Sequence, residues 1–420
     1  MDNPARIAIS PVMTMNSDVI IVGGGLNGCA LALALAGSGL SVTIIDRLAS
    51  QTRTGPEFDG RGYALAHAST RLLAAIGIWE ALRPNAQPML DIKVSDGRAG
   101  EGASPWVLEF DHAEIEEGPM GYMVEDRHLR VAFQDAMNAL PAITQIAERS
   151  VVAQTVADAD VCVTLDDGTD LRAKVMVGAD GQHSQTAQRA GIGRQGWAYD
   201  QTALVCAISH ELPHNGVAHQ FFMPPGPLAI LPLTGNRSSI VWTETDAEAK
   251  RIQALDDAAY LDTLRPRFGD FLGEISLAGT RFTYPLNLSV AHRFAAPRVA
   301  LLGDAAHRMH PIAGQGLNAG LKDVGALAEV LTLASRRGED IGRLDVLERY
   351  QQWRRFDTAA MALATDSVNR LFSNDNNFLR LGRDLGMGLV NAIPSLRRTL
   401  IREAAGLTGD LPKLLQGKSI

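Results

Sequence analysis

The chain is poor in cysteine. Its 420 residues hold three, Cys29, Cys162 and Cys206, far apart and with no C-x-x-C. That pattern excludes a disulfide framework and a thiolate zinc site, and it points to a reducing cytoplasm. Long apolar runs are also missing. No stretch of about 18 apolar residues occurs, so no helix is expected to span a bilayer. Positive charge is in deficit, with 39 Lys/Arg against 47 Asp/Glu and a net charge of −8, which argues against nucleic acid as a partner. Repeats and low-complexity tracts are absent. His307 and His310 are spaced i, i+3 but have no further ligands in view, so no metal is expected. Residues 1–17, with Pro4 and Pro11, lack a small-residue cleavage site after a basic start and read as a loose leader.

What is present is globular. The hydrophobic fraction of 46% and charged fraction of 20% suit buried cores, and the length predicts two or three domains. Asp18-Val19-Ile20-Ile21-Val22 is a buried-strand run. It breaks at Gly23-Gly24-Gly25-Leu26-Asn27-Gly28, passes into an Ala/Leu-rich segment to Ala36, and is followed by the strand Ser41–Ile45 ending at Asp46. Leu31, Leu33 and Leu35 alternate as in a strand, but the alanine content favours helix. Strand, glycine turn, helix and strand over about 30 residues open a doubly wound sheet. Gly23-x-Gly25-x-x-Gly28 then reads as a dinucleotide fingerprint. The first glycine permits the turn, the second lets backbone approach a pyrophosphate, and the third packs helix on strand; Asp46 accepts ribose hydroxyls.

Further along, residues 160–177 read as a hairpin turning at Asp166-Asp167-Gly168 and running into Gly178-Ala179-Asp180-Gly181, with a helix starting near Ser184. From 197 to 290 strand-like runs dominate, and Pro224, Pro225, Pro227 and Pro232 restrict them to edges or bends. After Asn318 the pattern is helical.

A second ligand turn follows the apolar strand Val299–Leu302. It reads Gly303-Asp304-Ala305-Ala306-His307, then His310-Pro311 and Gly314-Gln315-Gly316-Leu317-Asn318. A nicotinamide domain would complete its site in the first half of the chain. Two ligand turns this far apart suit the longer FAD. Asp304 would meet the ribityl hydroxyls or a pyrophosphate-bound water, and the backbone N–H groups from Gly314 to Asn318 would face the flavin edge.

Taken in order, the fingerprint at 23–28, Gly178-Ala179-Asp180-Gly181-x-x-Ser184 and Gly303-Asp304-Ala305-Ala306-His307 resemble the three motifs of class A flavoprotein aromatic hydroxylases. Asp59-Gly60-Arg61 with Ala64-Leu65, Gly226-Pro227-Leu228-Ala229, Tyr284-Pro285-Leu286 and Gly409-Asp410-Leu411-Pro412 narrow the likeness to the ubiquinone-biosynthesis ring hydroxylases. Asp46 departs from the family's frequent Glu. The resemblance implies an α/β fold: a Rossmann-like FAD-binding domain of the p-hydroxybenzoate hydroxylase type, with an inserted, mostly antiparallel substrate sheet and a helical C-terminus. The expected boundaries are 17–90, 120–195 and 295–345 for the FAD domain, 91–119 and 196–294 for the sheet, and 346–420 for the helical region. It also implies the chemistry: NAD(P)H reduces FAD as a transient co-substrate, O₂ adds to form a C4a-hydroperoxide, and an electron-rich phenol ring, here polyprenylated, attacks its distal oxygen. Hydroxylation of another aromatic, or reduction of an isoprenoid lipid, remains open.

Under that resemblance Arg61 lies beside the flavin, Arg127 contacts its ribityl or pyrophosphate region, Asp180 serves the flavin pocket, and Pro311 and Gly314 shape the ring environment. Each has a plainer reading: surface arginines, a turn aspartate, a helix-start proline. Phe221, Phe222, Leu228, Ile230 and Tyr284 could line a ring pocket or be sheet core. Residues 376–406 join Phe378, Leu379, Leu385, Leu396, Leu400 and Ile401 to Arg380, Arg383, Arg397, Arg398 and Arg402. This basic amphipathic tail suits peripheral contact with the inner membrane, a biosynthetic protein assembly, or ordinary helix packing.

Overall fold

The β-branched runs that bracket the fingerprint form adjacent parallel strands. In the computed structural model, which describes residues 17–53, 55, 60–100, 102–114, 117–309, 314–372 and 393–420, strand Ser17–Val22 pairs with Val42–Ile45 on one side and Asp170–Gly178 on the other. Val299–Leu301 and Ile143–Ile146 extend the sheet outwards, also in parallel. Both faces of this sheet are covered, which is why its strands are continuously apolar. Helix Leu26–Gly37 lies across it with Leu31, Leu33 and Leu35 all buried, as the alanine content predicts.

The register places the three motifs side by side. Val22 is opposite Gly178, and Gly178 is opposite Leu301. The fingerprint, Asp180 and Asp304 therefore leave the same carboxyl edge of one parallel sheet, where open α/β sheets bind their ligands.

A second sheet has nine strands. In spatial order they are His307–Arg308, Phe282–Ala291, Arg194–His210, Arg237–Thr245, Gly226–Leu233, Val217–Met223, Asp91–Arg98 and Gly102–Asp111, with Ile275–Leu277 beside Arg194–His210. Its pairings are antiparallel except Val217–Met223 with Asp91–Arg98. The proline expectation is corrected here, because Gly226–Leu233 is an interior strand carrying Pro227 and Pro232. Pro227 is only its second residue, and the ladder with Val217–Met223 has ended at Ile230, before Pro232, so few ladder bonds are lost.

One face of this sheet is sealed by helices Asp246–Gln253 and Asp257–Phe268, which the strand-dominated reading of 197–290 does not anticipate. Thr245 and Asp256 cap them by accepting the N–H groups of Glu248 and Ala259. Thr245-x-x-Glu248 is the sequence signature of such a start. The other face looks toward the part built on the first sheet. There Ala207, Ala218 and Leu233 pack with Met89 and Met123, and Ala64 and Leu231 close the cluster. Helices Gln315–Arg336 and Leu344–Phe372 lie against the first sheet, and Leu414 and Leu415 at the C-terminus join its core.

Candidate FAD and ring-binding site

The fingerprint glycines have different causes. A Cβ at Gly23 would lie 2.3 Å from the Ala179 carbonyl oxygen, and one at Gly28 would lie 2.0 Å from the Gly23 carbonyl oxygen. Those two are required by the protein's own packing. A Cβ at Gly25 would meet nothing within 4 Å, so the space beside it is left for something else. Gly25 is also the N-cap of helix Leu26–Gly37, without a side-chain cap and with no acidic residue in the first turn. The first N–H groups of that helix therefore remain available to an anion. Asp46 stands at the end of the neighbouring strand, where it accepts the N–H groups of Gly24 at 2.5 Å and Leu48 at 2.7 Å. Arg130 shares a narrow cleft with Gly24, Leu26 and Cys29.

At the second motif, Asp180 accepts Ser184 Oγ at 2.5 Å and the Thr186 N–H at 3.0 Å. Its carboxylate holds the start of helix Gln185–Arg189. At the third, Gly303–Ala305 is a single 3₁₀ turn that leaves Asp304 exposed. Two residues absent from the sequence reading fix this turn. Arg194 donates to the carbonyl oxygens of Asp304 (3.1 Å) and Ala305. Burial pulls its guanidinium below the usual range, and the Asp304 and Asp180 charges oppose the shift. Asp323, fully buried, accepts the Gly303 N–H at 3.0 Å, His307 Nε2 at 2.6 Å and Arg354 Nε at 2.8 Å. Burial alone would raise the Asp323 carboxyl; His307 and Arg354 overcome it and hold the group below its ordinary range. His307 thus spends Nε2 on a carboxylate. The only signal for Asp323 was an acid inside an otherwise Ala/Leu-rich helix.

Gly314 caps helix Gln315–Arg336 with φ 65°, and a Cβ there would press to 2.9 Å on the Ala64 Cβ. Space around Gly316 is open. The first turn, Gln315, Gly316 and Leu317, has no acidic residue, so the helix presents bare N–H groups. The Asn318 side chain is fully engaged: Oδ1 accepts the Ala66 N–H and Ser69 Oγ, while Nδ2 donates to the carbonyls of Ala64 and Gly314. It staples the helix start to strand Gly62–Ala66. Arg61 lies 3.2 Å from Asp126 Oδ2 and over the Phe282 ring at 5.4 Å. Arg127 bonds Glu125 at 2.7 Å, and Arg237 reaches the same carboxylate from the second sheet. Residues 1–16, Asp59, His310, Pro311 and 373–392 lie outside the described residues.

The pleat sorts the pocket residues. Phe221, Leu228 and Ile230 join Trp242, Tyr260 and Phe268 in the core under the helices, which corrects their assignment to the ring pocket. Phe222 and Tyr284 lie on the opposite face. That face has three rows. In the inner row Ala207, Ala218 and Ser239 are buried, while Ile92 and Leu231 are half-buried. The outer row runs Phe222, Pro227, Thr243, Ala203 and Tyr284, and all but Tyr284 are buried. Between them run Val94, Gln220, Ala229, Val241, Val205 and Phe282, directly cross-strand. Five of these six are only half-buried. The middle row is thus a mostly apolar trench between two largely closed rows, ending at Phe282 under Arg61.

FAD fits these features. Helix Leu26–Gly37 starts at the parallel sheet's carboxyl edge and helix Gln315–Arg336 starts beside strand Gly62–Ala66, Gly25 and Gly316 leave room that the protein does not fill, and the buried Asn27 Oδ1, near Gly303 and Gly320, has no hydrogen-bond partner among the described residues. The fold and site are those of a flavoprotein of the hydroxylase type. Residues 16–364 match the FAD binding domain family, and the chain belongs to it. The chain is 45% identical to the ubiquinone hydroxylase UbiL of Rhodospirillum rubrum, covering 96% of this chain and 93% of that one. It is 35% identical to 3-demethoxyubiquinol 3-hydroxylase of Escherichia coli (93% and 99%), and 30% to the mitochondrial ubiquinone biosynthesis monooxygenase COQ6 of Homo sapiens (92% and 92%). The crystal structure of p-nitrophenol 4-monooxygenase PnpA from Pseudomonas putida superimposes with a TM-score of 0.78 over 94% of this chain and 99% of that one, at 21% identity, which establishes the shared fold.

Proposed function

We propose that the protein hydroxylates the aromatic ring of a polyprenylated phenol in ubiquinone biosynthesis. One ring C–H becomes C–OH; O₂ supplies that oxygen and a water, and NAD(P)H with a proton supplies the two electrons and becomes NAD(P)⁺. The observation that carries the reading is the apolar trench facing the FAD-binding part beside the N-terminus of helix Gln315–Arg336. Bound FAD supplies the oxygen-activating chemistry. The chain's own residues orient and enclose. The Leu26–Gly37 helix end, Asp46 and Asp304 hold the cofactor's length, and Gly314 to Leu317 set positive potential at its ring system. Phe222, Val205, Val241 and Tyr284 border the ring, and their apolar surface excludes water that would divert reducing equivalents to H₂O₂.

A polyprenyl substrate resides in the bilayer, and the protein meets it there as a peripheral visitor. Among the described residues no helix is long and apolar enough to cross a membrane. Phe356, Leu363 and Leu371 are exposed along one side of helix Leu344–Phe372, and Ile393, Leu396 and Leu400 on and beside helix Pro394–Ala404.

The test is turnover with ¹⁸O₂. The expected product carries one ¹⁸O on the ring, with NAD(P)H consumed in equal amount. Consumption of NAD(P)H with a reduced, unlabelled lipid and no need for O₂ would instead make the protein a reductase.

A further inference from the structure

The trench contains one polar side chain. Gln220 is the second of its six residues, directly opposite Val94 on one neighbouring strand and Ala229 on the other, with Val241 one strand further. None of those side chains has a polar atom. Gln220 is half-buried as a residue, yet its Nε2 is fully buried and without a hydrogen-bond partner among the described residues. A buried amide nitrogen left unpaired costs about 1–3 kcal/mol, so such groups mark places where a partner is missing.

We propose that the Gln220 amide binds the oxygen substituent of the ring undergoing hydroxylation and so fixes which ring carbon is presented for oxidation. This rests on the ring-hydroxylase reading above. The substrate has one polar end and a long apolar remainder, and the trench has one polar side chain in an aliphatic row. No hydrogen bond to Nε2 holds the amide in its present orientation, and a half-turn about its last torsion presents NH₂ or C=O to the trench. A carboxamide donates to a phenolate or carbonyl oxygen and accepts from a neutral hydroxyl. It does not titrate, so it orients the ring without acting as a base. Gln220 is a positioning residue for the ring carbon and a direct ligand of the ring oxygen.

The test uses Gln220→Leu and Gln220→Met, each purified as yellow holoprotein whose flavin absorbance matches wild type, which controls for folding and cofactor binding. Two probes are compared: a phenol bearing a two-isoprene chain, and the same compound with hydrogen in place of the hydroxyl. Binding is read from the flavin absorbance. Wild type is expected to prefer the phenol by about tenfold, the value of one hydrogen bond. Both variants are expected to bind the two probes alike, and to hydroxylate the phenol at more than one carbon or release H₂O₂ in its place. A merely structural role would weaken both probes equally. Variants that keep the wild-type preference and single product overturn the assignment of Gln220. Wild type that places no ¹⁸O on the phenol overturns the ring-hydroxylase reading itself, a separate result.

Discussion

Gly25 and Gly23 are the same residue type for opposite reasons, and a substitution separates them. Gly25 has φ −72° and ψ 175°, open to any residue, and its Cβ has room within the protein. Gly25→Val is therefore expected to fold but to purify colourless. Overlap of about 1–3 kcal/mol with the pyrophosphate path would weaken FAD binding about fivefold to 150-fold. Flavin released per mole of protein reads this out, and retention of full FAD would remove Gly25 from the cofactor path. Asp323 tests the support behind the site. Its carboxyl is held low when folded, so its contribution is fully present above the ordinary carboxyl value of about 4 and lost as pH falls through the lower folded value. Asp323→Asn should cost about 3 kcal/mol at pH 7, with the gap from wild type narrowing below pH 4 in urea unfolding; a gap independent of pH would deny the ionised role. The fingerprint was legible because tight local packing at Gly23 and Gly28 restricts residue type. Arg194 was not, since its partners lie 110 and 111 residues on, at Asp304 and Ala305, and only the fold brings them together.

Among the elements, those with one dominant period were legible and those with a mixed signal were not. The Ala/Leu helix after the fingerprint and the hairpin turning at Gly168, with φ 85°, follow from composition and turn chemistry. Strand Gly226–Leu233 misleads because seven of its eight residues are buried, on both faces, so no alternation tells which side meets the ligand; only the pairing register does. Helices Asp246–Gln253 and Asp257–Phe268 sit between strand runs and announce themselves through their caps. Asp256 accepts the Ala259 N–H at 2.8 Å. Asp256→Ala should lower stability by about 1 kcal/mol, seen as a lower urea midpoint with unchanged slope. FAD content and turnover should stay at wild-type values, because this helix seals the sheet face away from the trench. A loss of turnover without loss of stability would place the helix in the site.

Across the whole molecule, one element joins the core of the first sheet to the second sheet. Helix Leu344–Phe372 begins in the first core with Val346, Leu347 and Tyr350 and reaches the second sheet, where Asn369 donates to Gln201 at 3.1 Å. Its inner side is fixed by Arg354 on Asp323. Its outer side carries Phe356 at 80% exposure and Leu363 at 68%, seven residues apart and so on one face. Burying a side chain of that size in an apolar phase is worth about 1.5–3 kcal/mol, so under the proposed function these two would give a weak, reversible hold on a bilayer surface. Wild-type protein should float with vesicles of anionic phospholipid in a density gradient. Phe356→Ser combined with Leu363→Ser should stay at the bottom, while its turnover of a water-soluble short-chain phenol is unchanged, since neither side chain enters the trench. A wild-type protein that does not float, or a double variant that floats as well as wild type, removes this face from the membrane. Loss of turnover with the long-chain substrate alone would show that the bilayer hold serves delivery and not chemistry.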